Sequence, residues 1–461
     1  MSKHLSLTII ALASGLVLGA PGGRAVAVDP QTVDMQPTQR ASGSASEEAL
    51  TLKQCLTTAL TNNPLLREAR SGVEAAGKGV QSAEGKHYPR LSLDATGVAR
   101  QDPVPYIPAQ SSTVGPHFSD SYALWGPVLT IPIYQGGQIS RNVELAKLRE
   151  RIQEDTLALT RNDLIANTVN TYNKILQIRK LREASGASVR ALEEQRKNVQ
   201  QLYDVKRAAR VELLKVEVQL ANEKQRLLTL DESLTTLSAS LRSLMGQAVE
   251  GTGTPLDMAD ALTQEASPRV SFEDGLKTAH RQRPEYLIAL KGEEEARLNM
   301  KNAAGKLHPS INAFGAYTDQ AGFNPSYEQA DWSVGLYVSL PLFEKSLYAD
   351  VAKERVLHRR SEEHLQVIEN QIRLEIQIAL SSLVDSKARI ATAERVVEQA
   401  DEAFRIEQQR YKTGAGAMVD MLLAQAADVT AAANYAQALF DYSAALVAYR
   451  RATGTMEEYL K

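Results

Sequence analysis

The chain has 461 residues and nearly balanced charge, with 52 Lys and Arg against 55 Asp and Glu and a net charge of −3. No strongly basic stretch is present, which argues against nucleic acid as a partner. The one cysteine, Cys55, cannot form an internal disulfide, and its apolar-periodic surroundings predict a small buried residue.

The N-terminus has the layout of a secretory signal peptide. Lys3 precedes an apolar run, Leu5 to Ala20, and Ala25-Val26-Ala27 forms a small-residue cleavage site. We expect residues 1–27 to be removed on export and residues 28–49 to form a disordered N-terminal segment. A membrane anchor is the alternative, but the run is short and lacks a stop-transfer flank. No later run is apolar enough for a spanning helix, so the exported protein is either soluble outside the cytoplasm or a β-barrel.

The rest of the chain reads as two tandem copies of one pattern. A shift of 220 positions places Leu52, Ala59 and Pro64 on Phe272, Ala279 and Pro284. Further along, a shift of 208 places Tyr203, Glu212 and Gly246 on Tyr411, Asp420 and Gly454. We therefore predict repeat 1 over residues 50–246, an inter-repeat linker or equatorial segment over 247–270, repeat 2 over 271–454 and a C-terminal tail over 455–461.

Each repeat is predicted to contain a half-length helix, a β-hairpin, a very long helix, a sharp turn and a further helix. Two stretches without proline keep a three-four apolar spacing, which is the helical period. The first long helix, from Gln138 to Leu202, has about 65 residues and a length on the order of 100 Å. The second runs from Leu347 to Arg410. The half-length helices before the hairpins are predicted over Leu52 to Gly85 and Phe272 to Gly305.

Residues 88–134 and 308–345 are predicted to form the hairpins. In the second, apolar residues alternate with small or polar ones over about ten positions, enough for one tilted bilayer crossing. These apolar residues are Trp332, Val334, Leu336, Val338 and Leu340. We expect loops at Pro103 to Ser119 and Asp319 to Gln329. A small soluble sheet is the alternative. Because lipid does not tolerate unpaired strand edges, membrane insertion requires several chains to share one barrel.

Three stretches of the sequence resemble the TolC family of outer-membrane efflux proteins. They are the Leu-x-x-x-Leu-x-x-Ala-x-x-x-Asn-Pro stretch from Leu52 to Pro64, the segment Ile131 to Gly137, and Tyr411-Lys412-Thr413-Gly414 followed by Val419-Asp420. The order and spacing of the resemblance extend over nearly all of residues 50–454.

The resemblance implies a mainly α fold with a β-barrel part. Long coiled-coil-like helices would form an α-barrel, and each protomer of a homotrimer would add four transmembrane strands to a barrel in outer-membrane lipid. A large portion would lie in the periplasm. The chain would be a passive conduit of a tripartite efflux or type I secretion system, served by a periplasmic adaptor (membrane-fusion) protein and an inner-membrane pump of the RND or ABC type.

In this family the helix–turn–helix tips close the periplasmic entrance. The matching gate and pore positions are Tyr203 and Glu212 in the first copy, and Tyr411, Gly414, Gly416 and Asp420 in the second. A carboxylate near a threefold axis becomes a ring of three, which favours cations. The alternative for both carboxylates is a solvated position at a helix start, where the macrodipole favours them.

The chain departs from the family pattern at these tips. Gly416 stands where some members carry a basic residue, and Lys206 replaces a turn glycine in the first copy. Our hypothesis is that Arg207 or Arg210 supplies the missing cation instead.

The sequence does not point to catalysis. His358 and His364 lie close to Glu362 and Glu363, but the HExxH spacing is absent, so an exposed polar helix is favoured over a metal site. No nucleophile elbow, phosphate loop or paired-cysteine site is present, so we expect no enzyme and no cofactor. The alternative function is a periplasmic coiled-coil adaptor or scaffold protein of an envelope export complex, with soluble hairpins.

Overall fold

The computed structural model describes residues 49–107, 117–248, 255–264, 271–323 and 326–460. The predicted signal peptide, residues 1–27, and all but the last position of the predicted segment 28–49 lie outside these ranges. Within them, none of the helices combines the length and the apolarity that a membrane-spanning helix needs.

The two repeats have the same order of elements, as predicted. In the first repeat these are α1 (Leu52–Asn62), α2 (Pro64–Gly85), β1 (Arg90–Ile107), β2 (His117–Gln135), α3 (Gln138–Asp204) and α4 (Arg210–Leu244). In the second they are α5 (Phe272–Gln282), α6 (Pro284–Gly305), β3 (Ser310–Phe323), β4 (Ser326–Ser339), α7 (Lys345–Lys412) and α8 (Met418–Thr453). A short 3-10 helix, Met456–Leu460, follows, and its Met456 is fully buried.

The half-length helix predicted before each hairpin is in fact two helices. α1 ends before Asn63, whose backbone is extended (φ −65°, ψ 128°) because the following Pro64 disfavours the helical region. The Asn63 side chain accepts a hydrogen bond from the Leu65 amide at 2.9 Å and donates one to the Leu244 carbonyl at 2.8 Å. The same break separates α5 from α6 at Arg283. The prediction of one continuous helix from Leu52 to Gly85 was therefore wrong.

The two long helices confirm the prediction made from proline-free apolar periodicity. α3 has 67 residues and α7 has 68, which at 1.5 Å per residue gives each a length on the order of 100 Å. The main apolar core lies where α1, α3, α4 and α8 meet, around Tyr172, Leu241 and Tyr442, each almost fully buried. Cys55 belongs to this core and is fully buried, as predicted.

The four strands form one antiparallel sheet in the order β1-β2-β3-β4, so the two hairpins join through β2 and β3. The register places Leu91 opposite Leu129, Leu129 opposite Gly315, and Gly315 opposite Val334, so these residues share a face. We call it the apolar face; its large apolar members are Leu91, Leu93, Trp125, Leu129, Ile131, Ile311, Tyr317, Trp332, Val334, Leu336 and Val338. Leu93 and Val334 remain 75% and 72% exposed, so nothing among the residues that the structure describes covers this face at those positions.

The described parts of both predicted loops are strand, and residues 108–116 and 324–325 of those loops lie outside the described residues. β1 continues to Ile107 and β2 begins at His117, while β3 runs to Phe323 and β4 begins at Ser326. Proline, glycine and polar side chains suggested loops, but main-chain pairing in a hairpin does not require apolar side chains. A register shift between Ala99 and Val104 allows β1 to continue past Pro103.

Residues 255–264 of the inter-repeat segment dock against the start of repeat 1. Met258 forms an isolated parallel bridge with Leu50, and the Ala259 amide donates to the Leu50 carbonyl at 2.9 Å. Leu256 and Leu262 are buried in the same core. The segment therefore packs on the helices; its predicted equatorial role in an assembly stays a prediction.

Candidate functional site

The two helix–turn–helix tips have the same pattern of main-chain hydrogen bonds. In the tip between α3 and α4, the Arg207 and Ala208 amides donate to the Leu202 carbonyl at 2.7 and 3.2 Å. In the tip between α7 and α8, the Ala415 and Gly416 amides donate to the Arg410 carbonyl at 2.8 and 3.0 Å. The sequence relationship between the copies is thus also a structural one. The adjoining left-handed residue of each turn is Lys206 (φ 61°) and Gly414 (φ 75°).

Gly416 is required for close packing within the second tip. A Cβ at this position would lie 2.9 Å from the Arg410 Cβ, closer than two such atoms normally approach. Gly414, by contrast, has open space around it and is favoured for its left-handed φ. Two glycines are thus suited to this turn for different reasons.

An apolar cluster joins the tips of the two repeats. Val199 from α3 and Val216 from α4 are fully buried, and they pack with Met418 and Met421 at the start of α8. Tyr411 is partly buried against the same cluster. The first turns of α4 and α8 are therefore held together by burial, and a movement of one tip has to carry or break this contact.

Tyr411 and Glu212, from different repeats, lie close enough to interact, and Gln195 forms a hydrogen bond with Tyr411. Burial raises the pKa of the Tyr411 hydroxyl, the Glu212 charge raises it further, and a hydrogen bond from Gln195 offsets part of the increase. The Gln195 amide also contacts the Met418 sulfur at 3.4 Å. Sequence reasoning missed Gln195 because a single polar residue on a long polar helix carries no local signal.

The remaining predicted gate residues are on the surface of the tips. Tyr203 is 37% exposed, and Arg207, Arg210, Asp420 and Gly414 are exposed as well. Among the described residues at the tips, Arg410 forms an ion pair with Glu407 at 2.7 Å. The structure thus brings Tyr411 and Glu212 together, whereas it leaves Asp420, Arg207 and Arg210 available to a neighbouring molecule.

Both tip carboxylates occupy the first turn of a helix, Glu212 in α4 and Asp420 in α8. The helix macrodipole favours a negative charge there, so each position is stabilising without any role in a gate. The difference lies in their surroundings. Glu212 is half-buried beside Tyr411, whereas Asp420 is exposed.

Polar side chains also join α3 to α8 away from the tips. The Asn173 amide donates to the Ser443 hydroxyl, and the Gln177 amide to the Gln437 side chain. Nearer the tips, the Gln425 amide donates to the Ser188 hydroxyl at 3.2 Å, with both residues buried. The buried pairs, Asn173 with Ser443 and Gln425 with Ser188, lose their partners when the helices slide, so they fix the register of α8 along α3.

Comparisons with known proteins agree with this arrangement. The chain matches the family model described as "Outer membrane efflux protein" over residues 55–247 and 276–455. These two segments correspond to the two repeats, and the inter-repeat segment lies between them. The chain is also 22% identical over 424 residues to the outer membrane protein TolC of Vibrio cholerae serotype O1, which covers 90% of this chain and 93% of that protein.

Solved structures show the same fold. The Campylobacter jejuni CmeC outer membrane channel superposes with a TM-score of 0.77 at 18% identity, covering 88% of this chain and 85% of the channel. The Vibrio cholerae outer membrane protein VceC superposes with a TM-score of 0.72 at 18% identity, covering 87% of this chain and 96% of the other. These likenesses confirm the predicted fold of long helices with a four-stranded sheet.

Proposed function

The chain belongs to the outer membrane efflux protein family, and on that premise we propose that three copies assemble into one continuous conduit. Members of this family are outer-membrane efflux channels, so the chain is an outer-membrane channel and not an enzyme. In the proposed homotrimer each copy gives four strands to a shared barrel and its long helices to a periplasmic tunnel.

The apolar face of the sheet carries this proposal. It extends across all four strands, and Leu91, Leu93 and Val334 on it are more than two-thirds exposed, at 71%, 75% and 72%. A large exposed apolar surface on a sheet is unfavourable in water and favourable against lipid. The outer edges of β1 and β4 have no partner strand among the described residues. Pairing β4 of one copy with β1 of the next satisfies these edges, as lipid requires.

The proposed conduit is passive. A periplasmic adaptor (membrane-fusion) protein and an inner-membrane pump of the RND or ABC type would deliver substrates to the tip end, and the pump would supply the energy. Tripartite efflux and type I secretion are both consistent with this arrangement. The support is family membership together with tip surfaces, such as Val218 and Leu423 at 61% and 65% exposure, that one chain leaves uncovered.

The tips are proposed to form the gate at the periplasmic entrance. Three copies of Asp420 around a threefold axis would make an acidic ring that attracts cations. Arg207 and Arg210 are exposed on the neighbouring tip and are available to pair with such a carboxylate in the next copy. Tyr411, Glu212 and Gln195 support the tip from within, because they couple the two repeats at this end.

A paired substitution tests the membrane assignment of the apolar face. Val334→Lys puts a charge on that face and is expected to cost about 2–4 kcal/mol near the bilayer midplane. Ser333→Lys, one residue earlier in β4 and on the opposite face, is the matched control and is expected to be tolerated. The measurement is the yield of trimer extracted from outer membranes, with its mass determined under native conditions.

The same preparation separates the channel from the alternative adaptor or scaffold. The channel is released from membranes only by detergent and has the mass of three chains. Release by alkaline washing without detergent, or equal yields of the two lysine variants, would contradict the proposal.

A further inference from the structure

A histidine and two glutamates meet where α6 packs on α7. The His358 Nε2 atom lies 2.7 Å from Glu293 Oε1, and its Nδ1 atom lies 4.0 Å from Glu362 Oε1. The ligand atoms of the three residues all lie within 4.8 Å of one another. The His358 and Glu293 side chains are mostly covered, at 18% and 24% exposure, whereas Glu362 is 53% exposed. The cluster therefore opens to solvent on the Glu362 side.

The electrostatics of this cluster favour a cation. A neutral imidazole carries one N–H, which can donate to only one carboxylate. With the proton on Nε2, the hydrogen bond goes to Glu293, and the Nδ1 lone pair then faces the Glu362 carboxylate. Among the ion pairs of the described residues, Glu293 and Glu362 pair only with His358, so no Lys or Arg there neutralises them.

We propose that His358 Nδ1 and the Glu362 carboxylate bind a divalent transition-metal ion, with Zn²⁺ as the representative of the class. Zinc bonds to imidazole nitrogen and carboxylate oxygen are each about 2.0–2.2 Å long, and at a tetrahedral angle the two ligand atoms lie about 3.4 Å apart. A small rotation of the half-exposed Glu362 side chain closes the present 4.0 Å separation to that distance. Positions i and i+4 lie on one helix face, which lets both groups reach one ion. Solvent on the exposed side completes the coordination. An imidazole ligand favours zinc, copper or nickel over magnesium or calcium.

Glu293 is a positioning residue in this arrangement. It accepts the hydrogen bond from His358 Nε2 and so leaves Nδ1 as the ligand atom, as carboxylates commonly do for metal-bound histidines. Glu293 is 65 residues from His358 in sequence and reaches it from a different helix. The sequence predicted an exposed polar helix here; Glu362 and His364 are exposed, whereas His358 is mostly covered because Glu293 of α6 packs against it.

The test uses the mature full-length protein in detergent, purified without a histidine tag and stripped of metal by a chelator. Zinc chloride is titrated in competition with a chromophoric chelator, and thermal unfolding is recorded with and without zinc. The variants are His358→Ala and Glu362→Gln. His364→Ala and Glu363→Gln are matched controls, because they make the same chemical changes on α7 outside the cluster.

We expect one zinc ion per chain in the wild type and in both controls, with an increase in Tm. The affinity should fall at least tenfold in His358→Ala and Glu362→Gln. Glu293→Leu should also weaken binding, and Glu293→Gln, whose amide oxygen still accepts from Nε2–H, should restore most of it.

Equal zinc affinity in Glu362→Gln and the wild type overturns the proposal; because Glu362 is half-exposed, that variant is expected to fold. The proposal is also overturned if the wild type shows no zinc-dependent Tm shift while His358→Ala is destabilised equally in chelator and in zinc. That result would make the cluster an ion pair only.

Discussion

Lys206 and Gly414 occupy equivalent left-handed positions in the two helix–turn–helix tips, with φ values of 61° and 75°. Lys206 is the only non-glycine residue of the described ranges with positive φ. A left-handed conformation costs a residue with a Cβ roughly 1–2 kcal/mol relative to the right-handed region, and glycine avoids that cost. The first tip is therefore strained where the second is relaxed.

Lys206→Gly should stabilise the first tip by up to about 1 kcal/mol, because it removes the Cβ at positive φ. Gly414→Ala should destabilise the second tip by a similar amount. The measurement is amide hydrogen exchange of the adjoining turns of α3 and α4, or of α7 and α8. Lys206→Ala removes the charge but retains the Cβ, so it should leave the exchange rates nearly unchanged; a gain equal to that of Lys206→Gly would contradict the strain argument.

Arg283, between α5 and α6, is 4% exposed and contacts both α7 and α8 of the second repeat. Its guanidinium lies 2.6 Å from a Glu375 carboxylate oxygen and donates to the Ala452 carbonyl at 3.4 Å. Arg283→Met should lower the free energy of unfolding by about 3 kcal/mol, at the low end for a buried pair because Glu375 is partly solvated. Arg405→Met, which breaks the exposed pair with Glu402, should lower the free energy of unfolding far less. Equal decreases in the free energy of unfolding for the two variants would contradict a stabilising role for the buried Arg283–Glu375 pair.

The same pair predicts a pH dependence. Burial alone would raise the pKa of Glu375, but hydrogen bonds from Gln371 and Arg283 and the charge of Arg283 outweigh burial and hold the pKa below its ordinary value of 4.5. A depressed pKa in the folded state gives stability that is present above pH 4.5 and lost as the pH falls towards the folded-state pKa. The Tm of the wild type should therefore fall more steeply below pH 4.5 than the Tm of Glu375→Gln. An equally steep fall of Tm with pH in the wild type and in Glu375→Gln would contradict this prediction.

Asp260 fixes the inter-repeat segment to the start of repeat 1. Its carboxylate accepts hydrogen bonds from the Tyr172 hydroxyl at 2.7 Å and from the Leu52 amide at 2.9 Å. Burial, and then this hydrogen bond, raise the pKa of Tyr172. Asp260→Ala removes the acceptor of the Leu52 amide and leaves the Tyr172 hydroxyl only the Leu50 carbonyl, at 2.9 Å. This change should lower the free energy of unfolding by about 1 kcal/mol and accelerate hydrogen exchange over residues 255–264. Asp257→Ala, at an exposed pair with Arg179, is the control and should have little effect.

Cys55 should be inert in the folded protein. Burial, reinforced by the nearby Asp260 charge, raises the pKa of its thiol to about 11. Because the folded-state pKa lies above the ordinary value of 9.0, the free energy of unfolding is unaffected by this thiol below pH 9. It falls as the pH rises towards 11, where the unfolded chain ionises the thiol and the folded chain does not. A disulfide reagent at pH 8 should react only after unfolding. Leu65→Cys in a Cys55→Ser background places a thiol at a position 61% exposed and should react at once; rapid reaction of native Cys55 would contradict its burial.

Much of the fold could be predicted because its signals are local. The absence of proline and the three-four apolar spacing define α3 and α7 to within about two residues at each end. Alternation in β4 likewise predicts a strand with one apolar face. The two errors in the predicted elements, the continuous helix before each hairpin and the loops, come from proline and glycine that were misinterpreted. Pro64 ends one helix and begins another, and the strands beyond Ala99 are held by main-chain pairing rather than by side-chain composition.

The candidate site could be predicted only in part. Sequence comparison between the repeats pairs Tyr203 with Tyr411 and Glu212 with Asp420, whereas the turn glycines stand only in the second copy. It cannot place Gln195 beside Tyr411, or Glu293 beside His358, because those contacts depend on how separate helices are aligned along each other. A one-turn slide of α8 along α3 would leave the sequence pattern intact and break the contacts at the tip.

Single-channel conductance of the purified trimer in a planar bilayer tests the central claim, that the tips close the entrance of an outer-membrane channel. We predict a small, cation-preferring conductance for the wild type. Arg207→Glu and Arg210→Glu should increase it several-fold, since like charges then face each other at the tips, and Asp420→Asn should weaken the cation preference. Lys387→Glu, an exposed charge reversal on α7 away from the tip, is the control. Conductance and selectivity unchanged in all three tip variants would contradict the account.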